Sequence, residues 1–451
     1  MTVELNRKKA LVLGVGDTGI SAIRHLQSKG AEVVAADTRE SPPRAAELSI
    51  PVVTGPFAAS LLEGVDLVVV SPGLSLGEPV VREASRRNIP VMGDVELFAT
   101  EISKRNPVPR VIAITGSNGK STVTSMVGEM CEKAGLRTVV AGNIGLPVLD
   151  TLEGNPAVYV LELSSFQLET VRSLEPGSAT VLNLSEDHLD RYASMREYAQ
   201  AKSAIFAGGG IQVLNREDPQ VMAMRLPGRK VLTFGLSAPK DESEYGLIRE
   251  GQNAWLARGE KRLLKTSDLK VAGLHNAENA LAALALCSDL PEEKLVQALV
   301  EFRGLPHRVE KIGEIEGVSF YDDSKGTNVG ATVAALTGMG GKSVLILGGE
   351  GKGQDFSPLR EPIENHARAV VLIGRDAPLI ERAIKGASVP VLHAPGMNEA
   401  VDAALKAAKE GDAVLLSPAC ASFDMFRNYV HRAESFVAAF RKLEGGACTR
   451  P

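Results

Sequence analysis

An α/β architecture in three domains is what this sequence predicts, and three observations carry the prediction. Short apolar runs of strand length alternate with amphipathic stretches of helix length along the chain. Two of these runs end in glycine-rich turns that open helices, at 14–19 and 115–122. The alternation breaks twice, at the polar stretch K-R-N-P-V-P-R (104–110) and around Gly304-Leu-Pro306. The expected domains are therefore 1–104, 105–305 and 306–451.

Composition bounds the possibilities. The chain has 451 residues, enough for several cores, with 44% hydrophobic and 23% charged residues. Fifty Lys and Arg against 55 Asp and Glu give a formal charge of −5. That balance argues against a basic nucleic-acid footprint and against a polybasic membrane patch. No apolar run approaches the roughly 18–20 residues that cross a bilayer. The start, M-T-V-E-L-N-R-K-K, leads into a short strand-like run and does not resemble a cleavable signal. The cysteines at 131, 287, 420 and 448 have no zinc spacing. A reduced, cytoplasmic protein with no nucleic-acid or membrane partner is expected.

The first element is a βαβ unit over 9–37. The run K-A-L-V-L meets the turn Gly14-Val-Gly16-Asp-Thr-Gly19, a helical stretch follows, and E-V-V-A-A-D ends at Asp37. G-x-G-x-x-G after a strand, with an acidic residue ending the next strand, is the pattern of Rossmann-like diphosphate binding. The glycines let the backbone approach a diphosphate, and the helix N-terminus supplies free N–H groups. Asp37 can then accept hydrogen bonds from a ribose or a base. The pattern does not separate NAD from other diphosphate-bearing nucleotides, so a dehydrogenase is one reading of it.

The second domain opens with V-I-A-I and the loop Thr115-Gly-Ser-Asn-Gly-Lys120-Ser121-Thr122. Loop N–H groups would cradle a triphosphate, Lys120 would neutralise its terminal charge, and the Ser121 hydroxyl would ligate Mg²⁺. The full Walker pattern asks for glycine where Ile114 stands. A central P-loop-type ATP-binding domain is the expectation. Glu162 ends the strand V-Y-V-L-E, and A-T-V-L-N leads into Ser185-Glu-Asp-His-Leu-Asp-Arg191. Parallel strands deliver their C-terminal ends to one edge, so Glu162, Asp187 and His188 can converge beside the phosphate loop as ligands of a hard cation. A solvated loop is the competing reading of that acidic stretch and of Asp190-Arg191. Asn215-Arg-Glu-Asp218 faintly echoes a guanine-reading loop, but Arg stands where such loops carry Lys. The third domain continues the alternation through 343–349, 369–374 and 412–418 and is expected to be Rossmann-like again.

Taken in order, these motifs resemble the Mur ligase family. The matching stretches are G-V-G-D-T-G, D-T-R (37–39), S-P-G (71–73), T-G-S-N-G-K-S-T, G-N-I-G (142–145) and L-E-L-S-S-F-Q-L-E (161–169). They continue with E-D-H-L-D-R-Y (186–192), H-N-A-E-N-A-L-A-A (275–283), G-L-P-H-R (304–308), D-D-S-K-G-T-N (322–328) and S-P-A-C-A-S-F-D (417–424).

The resemblance implies ATP- and Mg²⁺-dependent amide formation between UDP-N-acetylmuramoyl-L-alanine and D-glutamate in peptidoglycan precursor synthesis, by a monomer. It implies that Thr18, Asp37, Thr38, Arg39, Ser71, Gly73, Asn143 and His188 hold the UDP substrate. Gly116, Ser117, Asn118, Gly119, Lys120, Ser121, Thr122, Asn276, Asn279, Arg308, Asp323 and Lys325 are the implied ATP contacts. Lys120, Glu162, His188 and Lys202 are the implied catalytic set. Ser121, Glu162, His188 and Lys202, the last as a carbamate, are the implied magnesium ligands. Thr327, Lys352, Ser422 and Tyr429 are implied for D-glutamate. On the residues alone, Lys202 reads as an exposed helix lysine, Lys352 as part of a solvated turn, and Ser422 and Tyr429 as capping and core residues. A sister ligase that adds another amino acid, a folate polyglutamylating enzyme and a nucleotide-dependent binding module are the remaining alternatives.

Overall fold

The computed structural model describes residues 5–42, 44–187, 191–251, 253–271 and 273–447. Three sheets follow one another along the chain. The first holds β1 (Lys9–Leu13), β2 (Glu32–Asp37), β3 (Val52–Thr54), β4 (Leu67–Val70) and β5 (Val91–Met92), in the spatial order β3-β2-β1-β4-β5. All its pairs are parallel. Along β1, Ala10 and Val12 join one core while Leu11 and Leu13 join another on the opposite face. Burial on both faces is why this strand reads as an unbroken apolar run.

The second sheet contains β6 (Arg110–Thr115), β7 (Thr138–Gly142), β8 (Val158–Glu162), β9 (Ser178–Val181), β10 (Ile211–Asn215) and β11 (Val231–Phe234). It is extended by β12 (Glu244–Glu250), β13 (Asn253–Arg258) and β14 (Lys261–Lys265), giving the order β14-β13-β12-β11-β10-β9-β6-β8-β7. The pairs β12–β13 and β13–β14 are antiparallel. Sequence alternation did not foretell this meander. Its strands carry charges on their open face, and they turn at Gly251 (φ +58°) and Gly259 (φ +52°), where no helix intervenes.

The third sheet comprises β15 (Glu310–Ile315), β16 (Val318–Asp322), β17 (Ser343–Gly348), β18 (Ala367–Ile373), β19 (Val391–His393) and β20 (Ala413–Leu416). Its order is β15-β16-β20-β17-β18-β19, and only the edge pair β15–β16 is antiparallel among the pairs described. The fold is three α/β domains, as the sequence predicts. No helix among the described residues is long and apolar enough to cross a membrane.

Register places the chemistry. Ile114 of β6 and Gly142 of β7 both lie beside Glu162 of β8, and Thr115 lies beside Val181 of β9. The phosphate loop, Asn143, Glu162 and the segment after β9 therefore leave the sheet at a common edge. Gly142 (φ +110°) is required there, since a Cβ would sit 2.3 Å from the Glu162 carbonyl oxygen.

Candidate active site at the domain junction

Between β6 and the helix Lys120–Lys133 the loop ends on Gly119 in the left-handed region, at φ +82°. A Cβ at Gly119 would lie 2.5 Å from Asn279 Oδ1, so the loop and the helix Leu274–Leu286 meet without room for a side chain. Lys120 Nζ donates to the carbonyls of Gly116 and Ser117, both at 2.9 Å. Burial lowers its pKa, while Glu162 and Asp187 pull it back up. The Asn118 N–H donates to Asn183 Oδ1 at 2.8 Å, and Ser117 Oγ donates to the Ser185 carbonyl at 3.1 Å.

Lys202 is fully buried, which overturns the exposed reading of its helix, Met195–Ser203. Its Nζ donates to Gly116 O at 3.0 Å and to Thr115 Oγ1 at 3.3 Å, and it lies 4.6 Å from the centre of the Tyr198 ring. Burial, then the neighbouring Lys120, holds the Lys202 pKa well below its ordinary value. Tyr198 stands one helical turn earlier, and its hydroxyl lies 3.2 Å from Ser117 Oγ.

Glu162 is buried. Its Oε1 accepts from Asn143 Nδ2 at 2.7 Å, and its Oε2 has no hydrogen-bond partner among the described residues. An orphaned carboxylate oxygen is costly in a protein interior unless something positive meets it. This carboxylate oxygen and the Ser121 hydroxyl are oxygen donors of the kind that Mg²⁺ takes. Arg308 Nη2 donates to that hydroxyl at 2.8 Å, reaching from the third-domain side. The His188 prediction lies outside the described residues.

Two cavities flank this centre. One, of about 280 Å³, opens between the second and third domains and is lined by Asn118, Gly119, Thr122, Asn276, Asn279, Arg308, Asp323 and Lys325 among others. Gly116, Ser117, Lys120 and Ser121 of the phosphate loop do not line it. Asp323 is held by Ser417 Oγ at 2.7 Å, and burial lifts its pKa to about 7.

The other cavity, of about 810 Å³, lies between the first and second domains. Thr18, Asp37, Thr38, Arg39, Ser71, Gly73 and Asn143 all line it. Asp37 does not present a free carboxylate there. Its Oδ2 accepts from the Val15 N–H at 2.7 Å and from Arg39 Nη2 at 2.6 Å, and its Oδ1 accepts from Arg39 Nε at 2.8 Å. The Arg39 guanidinium holds the Asp37 carboxyl at a pKa of about 2. The Asp37 carboxylate, which the sequence predicts to accept from a ribose or base, thus already accepts from Val15 and Arg39 at the wall of this cavity.

Thr327, Lys352, Ser422 and Tyr429 line neither cavity. They follow β16, β17 and β20, whose C-terminal ends are stitched together by hydrogen bonds between Glu350 and Ala421, both at 2.9 Å, and by Ala419 N to Gly326 O at 2.9 Å. Lys352 is exposed with φ +51°, Ser422 is buried, and the Tyr429 hydroxyl accepts from Lys325 Nζ at 3.3 Å.

Three family profiles match in the same order as the three sheets. They are described as Mur ligase MurD-like N-terminal domain (residues 8–93), Mur ligase middle domain (114–287) and Mur ligase glutamate ligase domain (307–420). The chain is 55% identical over 449 residues to the UDP-N-acetylmuramoylalanine–D-glutamate ligase of Methylobacillus flagellatus, covering 98% of each protein. It belongs to the Mur ligase family.

This Mur ligase is also 56% identical to the like-named enzyme of Thiobacillus denitrificans, over 98% of both chains. In solved structures its fold is similar to the UDP-N-acetylmuramate–alanine ligase of Thermotoga maritima, with a TM-score of 0.61 at 22% identity, covering 96% of this chain and 99% of that one.

Sequence reasoning missed several residues of the site. Tyr198 was detectable by its helical spacing from Lys202. Asn328 caps the helix Val329–Gly338 through Oδ1 and donates from Nδ2 to Asn118 Oδ1 at 3.1 Å, across the domain boundary. Arg432, fully buried, donates to Ser324 Oγ (3.0 Å), Ser324 O (2.7 Å) and Cys420 O (3.0 Å), fastening the loops after β16 and β20. Asn328 closes the matching stretch D-D-S-K-G-T-N, whereas nothing local in the sequence marks Arg432.

Proposed function

We propose that this Mur ligase joins D-glutamate to UDP-N-acetylmuramoyl-L-alanine, driven by conversion of ATP to ADP and phosphate, in the cytoplasmic synthesis of peptidoglycan precursors. The work divides among segments 1–104, 105–305 and 306–451, and the enzyme acts as a monomer. The observation that carries the reading is the 2.7 Å hydrogen bond from Asn143 to Glu162, which ties the wall of the 810 Å³ cavity to the edge of the phosphate loop. A long uridine substrate lying in that cavity delivers its far end to the phosphoryl donor there.

A carboxylate is too poor an electrophile for direct amide formation, so it must first be activated. The alanyl carboxylate attacks the γ-phosphorus of ATP, giving an acyl phosphate and ADP. The amine of D-glutamate, after loss of a proton, attacks the acyl carbon, and phosphate leaves from the tetrahedral intermediate. Phosphoryl transfer depends chiefly on positioning and charge neutralisation. Lys120 exchanges its loop carbonyls for phosphate oxygens. Asn276, Asn279, Arg308, Asp323 and Lys325 hold the nucleotide, and Thr327, Lys352, Ser422 and Tyr429 hold D-glutamate. Arg39, oriented by Asp37, takes the uridine end with Thr18, Thr38, Ser71 and Gly73.

Ser121, Glu162, His188 and Lys202 would hold Mg²⁺. When bound, the cation supplies charge neutralisation for the phosphate oxygens. Lys202 takes part as a carbamate: its uncharged amine adds to the carbon of CO₂ and releases one proton, leaving an anion. Its buried position and depressed pKa support this reading, because addition requires the free amine.

ADP and phosphate release is the test, with Mg²⁺-ATP, UDP-N-acetylmuramoyl-L-alanine and D-glutamate each omitted in turn. Release that requires all three, with L-glutamate failing to replace D-glutamate, is the expected result. Release with another amino acid in place of D-glutamate overturns the assignment in favour of a sister ligase.

A further inference from the structure

Arg191 sits in a segment that reads as solvated, yet its side chain is only 14% exposed. Nη1 donates to the Pro72 carbonyl at 3.4 Å and Nη2 to the Leu74 carbonyl at 2.5 Å, so the guanidinium spans the 72–74 loop of the first domain. Nη2 also meets Glu169 Oε2 at 3.3 Å, and the guanidinium carbon lies 4.3 Å from the centre of the Phe166 ring. Phe166 stacks in turn on Tyr192, at 6.0 Å between centroids. A planar fork, carbonyls along one edge, a carboxylate beside it and an aromatic face beneath use every recognition property of arginine; lysine offers only a point charge.

Each end of this arrangement reaches a different substrate region. Pro72 and Leu74 line the 810 Å³ cavity together with Ser71 and Gly73, and Ser71 Oγ closes the loop onto the Gly14 carbonyl at 2.9 Å. On the other side, the Tyr192 ring lies 5.3 Å, centroid to centroid, from that of Tyr198, whose hydroxyl is 3.2 Å from Ser117 Oγ in the phosphate loop. A run of packed side chains, Arg191, Phe166, Tyr192 and Tyr198, therefore links the 72–74 loop to the phosphate loop.

We propose that Arg191 is a positioning residue that couples occupancy of the uridine-substrate cavity to nucleotide binding at the phosphate loop. This rests on the assignment of the two cavities given above. A ligand that fixes the 71–74 loop fixes the carbonyls that Arg191 grips, and hence the aromatic side chains that lead from Arg191 to Ser117. Coupling of this kind is reciprocal between the two ligands. Packing alone does not establish it, so the measurement must be of the coupling itself.

The experiment is calorimetric titration of the full chain with UDP-N-acetylmuramoyl-L-alanine, in the presence and absence of Mg²⁺ and the β,γ-imido analogue of ATP. The expected wild-type ratio of the two dissociation constants is about fivefold or more. In Arg191→Ala and in Arg191→Lys that ratio falls below about twofold, while the analogue alone binds within about twofold of wild type. Arg191→Lys keeps the charge and guards against a variant that fails to fold. A wild-type ratio of one overturns the proposal, and so does a ratio unchanged in the variants, including the case where each ligand binds more weakly by the same factor. Failure of the wild type to bind the uridine compound at all overturns the functional assignment itself, an outcome distinct from the others.

Discussion

Asp323→Asn is expected to stabilise the ligand-free protein at alkaline pH while impairing its use of ATP. Asp323 is buried at the third-domain wall of the 280 Å³ cavity, and burial lifts its pKa from the ordinary 3.8 to about 7, against the pull of Ser417 and Arg308. The unfolded chain ionises this group near 3.8. Between those values the folded protein holds a proton that the unfolded chain has released. Its contribution to stability is complete below 3.8 and is lost as pH rises through 7. The gap corresponds to about 4 kcal/mol. Asparagine keeps the shape and an acceptor for Ser417 Oγ but cannot ionise. The variant should gain about 1.5 kcal/mol over wild type at pH 5 and about 4 kcal/mol at pH 8.5. The one tryptophan, Trp255, belongs to β13 of the second domain, so fluorescence would report the wrong unit and scanning calorimetry is the suitable assay. A difference in Tm that does not change with pH, or that is negative at pH 8.5, refutes the reasoning. The same variant should raise KM for ATP, since it removes a carboxylate from the cavity wall.

Lys202→Met should lower the ligase rate by about 100-fold or more without lowering Tm, because it replaces a dehydrated amine with an apolar chain of similar length; ADP-release rates and a thermal scan on one preparation check both halves. Gly119→Ala should cost about 1–2 kcal/mol for the left-handed backbone and raise KM for ATP, since the new methyl meets Asn279; urea unfolding and initial rates measure this. Arg432→Ala should destabilise the third domain by about 3 kcal/mol, because Ser324 and Cys420 lose their buried donors. It should raise KM for D-glutamate more than KM for ATP, which steady-state kinetics with each substrate varied will read.

What was legible in the sequence is what local chemistry forces. The glycines of the two turns, Lys120 and Ser121 are fixed by backbone geometry and phosphate charge, so their spacing announces them. Parallel strands buried on both faces, such as β1 and β6, announce themselves by continuous apolar runs. The strands β12–β14 do not, because each has an open face and mixed charge. Lys202 reads as exposed in its own helix, and only the packing of that helix against the phosphate loop buries it. The pairing of Asp37 with Arg39 was not legible either, because it depends on the turn between them. Asn328, Arg432 and Arg191 act across domain or loop boundaries, where sequence distance carries no information.

The contact between Asn143 and Glu162 also sets how an inhibitor could be assembled. The large cavity and the phosphate loop are separate compartments that meet at this amide–carboxylate junction. Two fragments, one a uridine diphosphate mimic and the other a small anion for the phosphate loop, could be tethered by a linker that passes Asn143. Linking turns the second association into an intramolecular one and can multiply affinity by about 10²–10⁴ when the tether matches the span. Neither fragment would need to resemble the reacting centre, so modest binders for each compartment are sufficient starting material.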